Sequence, residues 1–541
     1  MTKARQSLVM MFLVLLTAGV ILITGCAPAA VQETPQEPMQ EEAAQPVAEV
    51  EEPTPIEAEQ EKVLRVALTT NPNTIELATG DSIVSAQVAV NIFDSLVFLN
   101  AEGTLEPSLA ESWTISDDGL VYTFNLRQGV TFHNGYPFTA EDVKFTWERG
   151  TGADIAYRDA FLSVSAVNIV DEYKVEINLS EPNAMLLSQM FLHWSIISKQ
   201  HHEKVGEEAY LQNPIGTGPF KFVEWIHGDR IVLEANENYW RTGYPKVDRI
   251  IFRPILESET RFVALVNDEV DIITNLTPDQ AREIEDISGV NLISYPLDRA
   301  FYIAFNNMTT GVGTPIENQL VRQAMSYAID YQTIIDRIFG GQASRIAGFV
   351  LPGNLGFDPS IEPFPYNPDR ARQLLEEAGF PDGFEISMAG PVDTYVNFEQ
   401  VLQALVGYWE DVGITVNLEF MESGRFWTLQ GNRELPPLFG DSWSSSLGEA
   451  FPRLAGSVGG EDAGFAAWLD PVLVEMVGRL QLTPDRSERA ELYTQILRYM
   501  REDPPFIYLY QMTAFDAANT RVKDFQPRVS GVYFLKGVSL E

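Results

Sequence analysis

The chain has 541 residues, of which 45% are hydrophobic and 11% aromatic, and it carries a formal net charge of −39. This length is more than one ordinary hydrophobic core fills, so we expect two or three lobes. The negative charge opposes binding to nucleic acid, which requires basic residues, and opposes direct adhesion to anionic lipid. Because the chain has one cysteine, no disulfide forms within it and its lobes must be held together by burial.

The N-terminus has the pattern of a secretory leader. Basic residues precede an apolar run over residues 8–23, which is shorter than the ~20 residues that a membrane-spanning helix needs. Residues 23–26 resemble a bacterial lipobox, which implies cleavage after Gly25 and a diacylglycerol on Cys26. An uncleaved anchor helix is the alternative. Both place the rest of the chain outside the cytoplasm.

Residues 27–62 are mainly Ala, Pro, Glu and Gln. Such a segment buries too little apolar surface to fold, so we predict a disordered, self-repelling tether. Globular patterning starts near Leu64.

Short strands and hairpins are predicted first. Trp113 and the alternating residues of 121–126 flank the turn Asp118-Gly119, which is typical of a β-hairpin. A second hairpin is predicted around Asp171-Glu172.

Helices then alternate with strands. An apolar stripe begins at Val321 and stops by Gly340, and Asn367-Pro368 and Thr483-Pro484 are start signals for two further helices. Residues 506–510 read as a buried strand. This alternation indicates an α/β fold.

Several ordered motifs resemble the family 5 solute-binding proteins of bacterial ABC importers, the group that binds peptides and nickel. The motifs are residues 105–113 (LEPSLAESW), 122–130 (YTFNLRQGV), 132–135 (FHNG), 138–143 (FTAEDV), 214–220 (PIGTGPF), 302–307 (YIAFNN) and 321–330 (VRQAMSYAID). The resemblance runs from about Leu64 to the C-terminus.

The resemblance implies a periplasmic-binding-protein-like fold: two hinged α/β lobes with mixed sheets, plus an inserted α+β domain. Hinge closure would enclose the ligand between the lobes. The implied boundaries are lobe I at 63–96, 213–300 and 521–541, the inserted domain at 97–212, and lobe III at 301–520.

In peptide-binding members of the family, an acidic side chain three residues after a cleft tryptophan holds the amino terminus of the peptide. Here Trp443 matches the tryptophan and Ser446 stands in the place of the acid. A serine hydroxyl cannot neutralise an ammonium group. Glu449 or Asp441 is the candidate substitute, and a neutral solute such as an oligosaccharide is the competing ligand.

The other candidate ligand-binding residues are Thr70 and Asn71 after the first strand, Tyr302 and Asn306 at the entry to lobe III, and Glu422 after a strand-like segment. Gly216 and Gly218 precede a strand instead of a helix, so we predict a structural turn and no phosphate loop. His201 and His202 are adjacent on a predicted helix and point apart, so no metal site is expected.

The leading interpretation is a lipid-anchored, monomeric receptor without enzymatic activity or cofactor, which delivers a small solute to the transmembrane subunits of an ABC permease. An extracytoplasmic hydrolase is the alternative from another class, although the chain has no Gly-x-Ser-x-Gly or His-Glu-x-x-His motif. A sensor or chaperone-like binder that uses the same cleft is the third.

Overall fold

The computed structural model describes residues 61–541 except 77–78, 80–81, 101–102, 154, 156–157, 446 and 529. The predicted signal peptide, Cys26 and nearly all of the predicted tether therefore lie outside the described residues. None of the helices in the described part has the length and apolar character that a membrane crossing requires.

Strands alternate with helices along the chain. The strands are β1 Val63–Leu68, β2 Val97–Leu99, β3 Leu105–Pro107, β4 Ala110–Ile115, β5 Val121–Leu126, β6 Val164–Asp171, β7 Lys174–Leu179, β8 Phe220–Ile226, β9 Arg230–Ala235, β10 Arg249–Pro254, β11 Ile272–Ile273, β12 Val290–Phe305, β13 Ala343–Arg345, β14 Phe384–Pro391, β15 Ile414–Met421, β16 Leu438–Ser444, β17 Phe506–Asn519, β18 Val522–Lys523 and β19 Ser539–Leu540.

The helices are α1 Ile83–Ala89, α2 Ala140–Gly150, α3 Asp159–Leu162, α4 Leu186–His193, α5 Lys199–Val205, α6 Glu207–Gln212, α7 Ser258–Val266, α8 Pro278–Glu285, α9 Gln319–Tyr327, α10 Tyr331–Ile338, α11 Pro368–Glu377, α12 Phe398–Glu410, α13 Ser423–Gly431, α14 Phe451–Val458, α15 Pro471–Leu482 and α16 Arg486–Glu502.

One large mixed sheet runs through the ranges expected for lobes I and III, in the order β15-β14-β16-β12-β17-β11-β1-β10-β9-β8. Its centre is the antiparallel pair β12 and β17, of 16 and 14 residues. Their register shifts between Pro296 and Ala300, which pair with Thr513 and Gln511. We call residues 296–300 and 511–513 the strand crossing, because the register of the central pair shifts there.

Hydrophobic side chains gather in separate cores. Lobe I packs around β1 and β10, and the inserted domain packs around its own antiparallel sheet β4-β5-β7-β6. Lobe III packs around β12, β14, β16 and β17. Ile197 and Tyr210, within the range expected for the inserted domain, pack in the lobe I core instead. The α/β fold class with mixed sheets is confirmed.

Most local predictions agree with the structure. Both hairpins form, with Ile115 opposite Tyr122 in the first and β6 paired with β7 in the second. Gly119 has a φ of 69°, as its turn requires. Asn367 caps α11 by accepting a hydrogen bond from the backbone N–H of Arg370.

Two helix boundaries differ from the prediction. The stripe from Val321 to Gly340 forms two helices, because the Asp330 side chain caps α10 and interrupts the run. The last long helix begins at Arg486 instead of following Thr483 directly, because Asp485 accepts hydrogen bonds from the backbone N–H groups of Ser487 and Glu488.

The glycines of the PIGTGPF motif lie against Ile92 and Phe93, which follow α1. A Cβ on Gly218 would come within 2.5 Å of the carbonyl of Ile92, a contact that only a backbone shift can relieve. We expect Gly218→Ala to lower the free energy of unfolding by about 1–3 kcal/mol, the usual cost of overpacking.

Chemical denaturation measures this change, and Gly407→Ala is its matched control. Gly407 lies within α12 with nothing within 4 Å of a built Cβ, so its replacement should raise stability by about 0.5–1 kcal/mol. Equal effects of the two substitutions would contradict the packing explanation.

Candidate functional site

The carboxyl ends of strands from both lobes border the strand crossing. In lobe I, β1 and β11 are parallel neighbours, with Val66 opposite Ile272. The backbone N–H of Leu276 donates to the carbonyl of Phe515, so the chain leaving β11 runs toward the crossing. In lobe III, β16 ends with Ser444 opposite Arg299 of β12. Since open α/β sheets bind ligands outside the carboxyl ends of their strands, this is the candidate site.

The lobe I side of the site contains two of the predicted residues. Thr70 and Asn71 follow β1 after one intervening residue, and both are exposed. Thr274 and Asn275 follow β11 at the same edge, and neither stands out from the sequence. The sequence pattern that marks these two residues is a polar pair directly after a buried strand. Because β11 has only two residues, this strand is hard to recognise in the sequence.

The lobe III side is built on the last residues of β16. Strand β14 pairs with β16 only at Leu438 and Phe439. Among the described strands, residues 440–444 are therefore paired on one side only, by β12. Trp443 is half-buried, meets Phe465 edge-on at 5.3 Å between ring centroids, and lies against Gly456. Ser446 lies outside the described residues.

Asp441 is already hydrogen-bonded within the protein. Its carboxylate accepts hydrogen bonds from the Tyr395 hydroxyl at 2.8 Å, from the Gln430 amide at 3.1 Å and from the backbone N–H of Ser442 at 2.7 Å. Burial raises its pKa despite these donors and the positive charge of Arg299. Asp441 is thus better suited to positioning Tyr395 and Gln430 than to holding a ligand ammonium group.

Glu449 does not face the site. Its residue is 0% exposed, and its carboxylate is shared by two arginines and a hydroxyl. Arg489 donates to both oxygens at 2.8 and 2.9 Å, Arg486 donates at 3.2 Å and the Tyr493 hydroxyl at 3.0 Å. The expectation that Glu449 replaces the missing ammonium-binding acid is corrected, because two guanidinium groups already balance its charge inside lobe III.

Three further candidates have roles within the fold. Tyr302 is 2% exposed and packs edge-on against aromatic rings of the lobe III core. Asn306 is also 2% exposed, and its amide bonds the turn that follows β12 and the carbonyl of Leu435. Glu422 is exposed, and its carboxylate caps α13 through backbone N–H groups that lower its pKa. None of the three presents a free polar group to the strand crossing.

Histidines in the described part contact other groups of the fold, and His201 and His202 both pack against the ring of Tyr210. His133 contacts the carbonyl of Gly218 at 3.0 Å, and burial lowers its pKa to about 4. His202 pairs with Glu207 at 2.7 Å. No group of three or more His, Cys, Asp or Glu side chains in the described ranges is placed to hold a metal ion.

Comparison with known proteins gives consistent matches. The family model for bacterial extracellular solute-binding proteins, family 5 Middle, matches residues 104–465. The glutathione-binding protein GsiB of Salmonella paratyphi A is 30% identical over 393 residues, which cover 71% of this chain and 75% of the relative.

Two solved structures share the fold. HbpA2 of Haemophilus parasuis has a TM-score of 0.82 at 25% identity, covering 88% of this chain and all of that one (100%). The periplasmic binding protein DppA of Helicobacter pylori, solved in complex with the peptide STSA, has a TM-score of 0.68 at 25% identity, covering 88% of this chain and 98% of that one.

Proposed function

Because the chain belongs to the bacterial extracellular solute-binding proteins, family 5, we propose that it captures a peptide or peptide-like solute outside the cytoplasm. It then delivers the solute to the permease of an ABC importer. It acts as a monomer and catalyses no reaction. A diacylglycerol on Cys26 anchors it to the outer face of the cell membrane, with the segment up to residue 62 as its tether.

The observation that carries this proposal is the strand crossing. Two polypeptide segments, β12 and β17, join the lobes, and strands of both lobes end beside the strand crossing. A bend at the register shift between Pro296 and Ala300 brings these ends together without breaking either core. Ligand that contacts both lobes favours the closed state by its differential affinity, and this closed state is what the permease recognises.

A peptide fits the free edge of β16. Among the described strands, residues 440–444 have a partner on one side only. Residues 440–442 are buried and the Ser442 N–H donates to Asp441, so the backbone of residues 443–444 is the part that can pair with an extended ligand as an added strand does. Trp443 lies within this edge and supplies an apolar face for a ligand side chain. GsiB, which is named for glutathione, and DppA, solved with a peptide, bind ligands of this class.

The proposal is tested with the purified chain and a pool of tripeptides, by native mass spectrometry and calorimetric titration. We expect peptide complexes of one-to-one stoichiometry and a smaller radius of gyration by small-angle scattering when peptide is bound. A chain that retains no peptide, or that hydrolyses the pool, contradicts the proposal. Retention of an oligosaccharide instead favours the neutral-solute alternative.

Trp443→Ala should weaken tripeptide binding by about 10- to 100-fold, because removal of a central aromatic anchor costs about 2 kcal/mol or more. Titration of both proteins with the same peptide measures the loss. Trp225→Ala is the matched control, since Trp225 is also half-buried but lies on the edge strand β8, at the far end of the sheet. Equal affinities of the two variants would remove Trp443 from the site.

A further inference from the structure

A small cavity lies where the range expected for the inserted domain meets the C-terminal segment of lobe I. Its volume is about 20 Å³, and its lining includes Ser108 and Ser195 from the first and Phe534 and Lys536 from the second. A cavity of this size holds one particle as large as a water molecule, and a chloride ion is only slightly larger. The described residues that line it do not belong to the strand crossing, so this cavity is separate from the candidate solute site.

Lys536 brings a positive charge to the cavity without a counter-charge. The residue is half-buried, and its Nζ lies 4.3 Å from the centroid of the Phe98 ring. Among the described residues, no carboxylate lies at ion-pair distance from this ammonium and no acceptor forms a hydrogen bond with it. Burial lowers the pKa of Lys536 to about 8, because a cation that has lost water and gained no partner is unfavourable.

The charged groups around Lys536 do not balance it. Arg241 and Arg528 disfavour its positive charge, whereas Asp94 and Glu106 favour it, so two cations and two carboxylates oppose each other. Asp94 also lines the cavity. Its carboxylate already accepts three hydrogen bonds from other side chains, at 2.9 to 3.1 Å. The charge of Lys536 itself is therefore left over.

Two serine hydroxyls at the cavity also lack partners. Ser108 is 3% exposed and Ser195 is 8% exposed, and both line the cavity. Neither hydroxyl forms a hydrogen bond with another residue in the part of the chain that the structure describes. Buried hydroxyls are normally hydrogen-bonded. Together with the three N–H donors of the ammonium, these hydroxyls give the cavity several unused donors from two parts of the fold.

We propose that this cavity binds a small monovalent anion such as chloride, held by the Lys536 ammonium and the Ser108 and Ser195 hydroxyls. The anion accepts hydrogen bonds from all three groups and supplies the missing counter-charge. A water molecule of similar size supplies no charge. Since the hydroxyls belong to the inserted domain and the ammonium to the C-terminal segment, the bound anion joins these two parts of the protein. This inference is independent of the transported solute.

The first test follows thermal unfolding of the full chain in sodium chloride and in sodium gluconate at equal ionic strength. We expect the Tm to rise with chloride by about 1–3 °C and then to saturate, because a ligand that binds only the folded state stabilises it. Gluconate is too large for the cavity and should give no such rise. Equal Tm values in the two salts overturn the inference.

Variants assign the effect to the cavity. Lys536→Met retains a long apolar side chain without the charge, so it should abolish the chloride-dependent rise in Tm. Lys246→Met is the matched control, since Lys246 is also in lobe I but pairs with Asp524 at 3.4 Å on the surface, and it should keep the full rise. A Lys536→Met protein that responds to chloride like the wild type contradicts the proposed site.

Crystals of the unmodified chain grown in sodium bromide give a test that does not depend on the folding of a variant. We expect an anomalous scattering peak in the cavity, within hydrogen-bond distance of Nζ of Lys536. Density without an anomalous signal means that the cavity holds a water molecule only, which overturns the inference.

Discussion

Glu449→Gln is expected to lower the free energy of unfolding of lobe III by about 3–5 kcal/mol, the usual effect of removing one partner from a buried ion pair. The substitution leaves Arg489, whose side chain is 2% exposed, without a counter-charge. The Tyr493 hydroxyl also loses a charged acceptor. A glutamine fills the same space but cannot balance the guanidinium groups of Arg486 and Arg489.

Denaturation in guanidinium chloride, followed by fluorescence and circular dichroism, measures this loss. Glu475→Gln is the control, since Glu475 is exposed on α15 of the same lobe and should change stability by less than about 0.5 kcal/mol. An unchanged stability of Glu449→Gln, together with weaker binding of free-amino peptides, would instead restore Glu449 as an ammonium ligand.

Asp516 is expected to make the protein less stable as the pH rises from about 4 to about 7. This side chain lies on β17, and the residue is 1% exposed. Burial raises its pKa to about 7, although the backbone N–H of Asn275 and the hydroxyl of Tyr295 donate to it. Among the described residues, Tyr533 is the other titratable group that interacts with Asp516, and it is neutral in this pH range.

The sign follows from the two states of the chain. The unfolded carboxyl ionises near pH 4, whereas the folded one stays protonated until about pH 7. The stabilisation from the raised pKa of Asp516 is therefore complete below pH 4 and is lost as the pH rises from 4 to 7. The loss is as much as about 4 kcal/mol for a difference of three pKa units. Asp142, with a pKa raised to about 6, contributes in the same direction.

Two histidines change stability with pH in the opposite direction. Comparing the stabilities of variants is therefore more informative than the pH dependence of the wild-type stability alone. Burial lowers the pKa values of His133 and His193 to about 4, which removes stability as the pH falls below 6.5. Asp516→Asn should be more stable than the wild type at pH 8 and should lose that advantage at pH 4. Urea denaturation at the two pH values measures the difference, and a variant with the same offset at both contradicts the assignment.

Sequence patterns predicted most of the local structure. Alternation and an Asp-Gly turn are sufficient for the hairpin of β4 and β5, because its contacts are between neighbours in the sequence. The Asn367-Pro368 start of α11 is equally local. The start of α16 was misplaced because two capping candidates stand close together, and hydrogen bonds to Asp485 decide between them.

The candidate site was predictable only in part. The strand β1 is recognisable in the sequence and is followed by Thr70 and Asn71, and Trp443 lies near the end of β16. The structure places all three near the carboxyl ends of these strands. Glu449 looked equally suitable, because nothing in its neighbourhood shows that Arg486 and Arg489, some 40 residues later, meet it inside lobe III.

By itself, the sequence determined the family, the mixed α/β class and the order of most elements, because ordered motifs and hydrophobic periodicity are local properties of a chain. Tertiary structure alone decided which polar side chains remain available to a solute. That availability depends on partners distant in sequence: β11 lies beside β1, Tyr395 beside Asp441, and Arg489 beside Glu449. A carboxylate balanced by buried guanidinium groups, such as that of Glu449, stabilises the fold and is not free to bind a ligand.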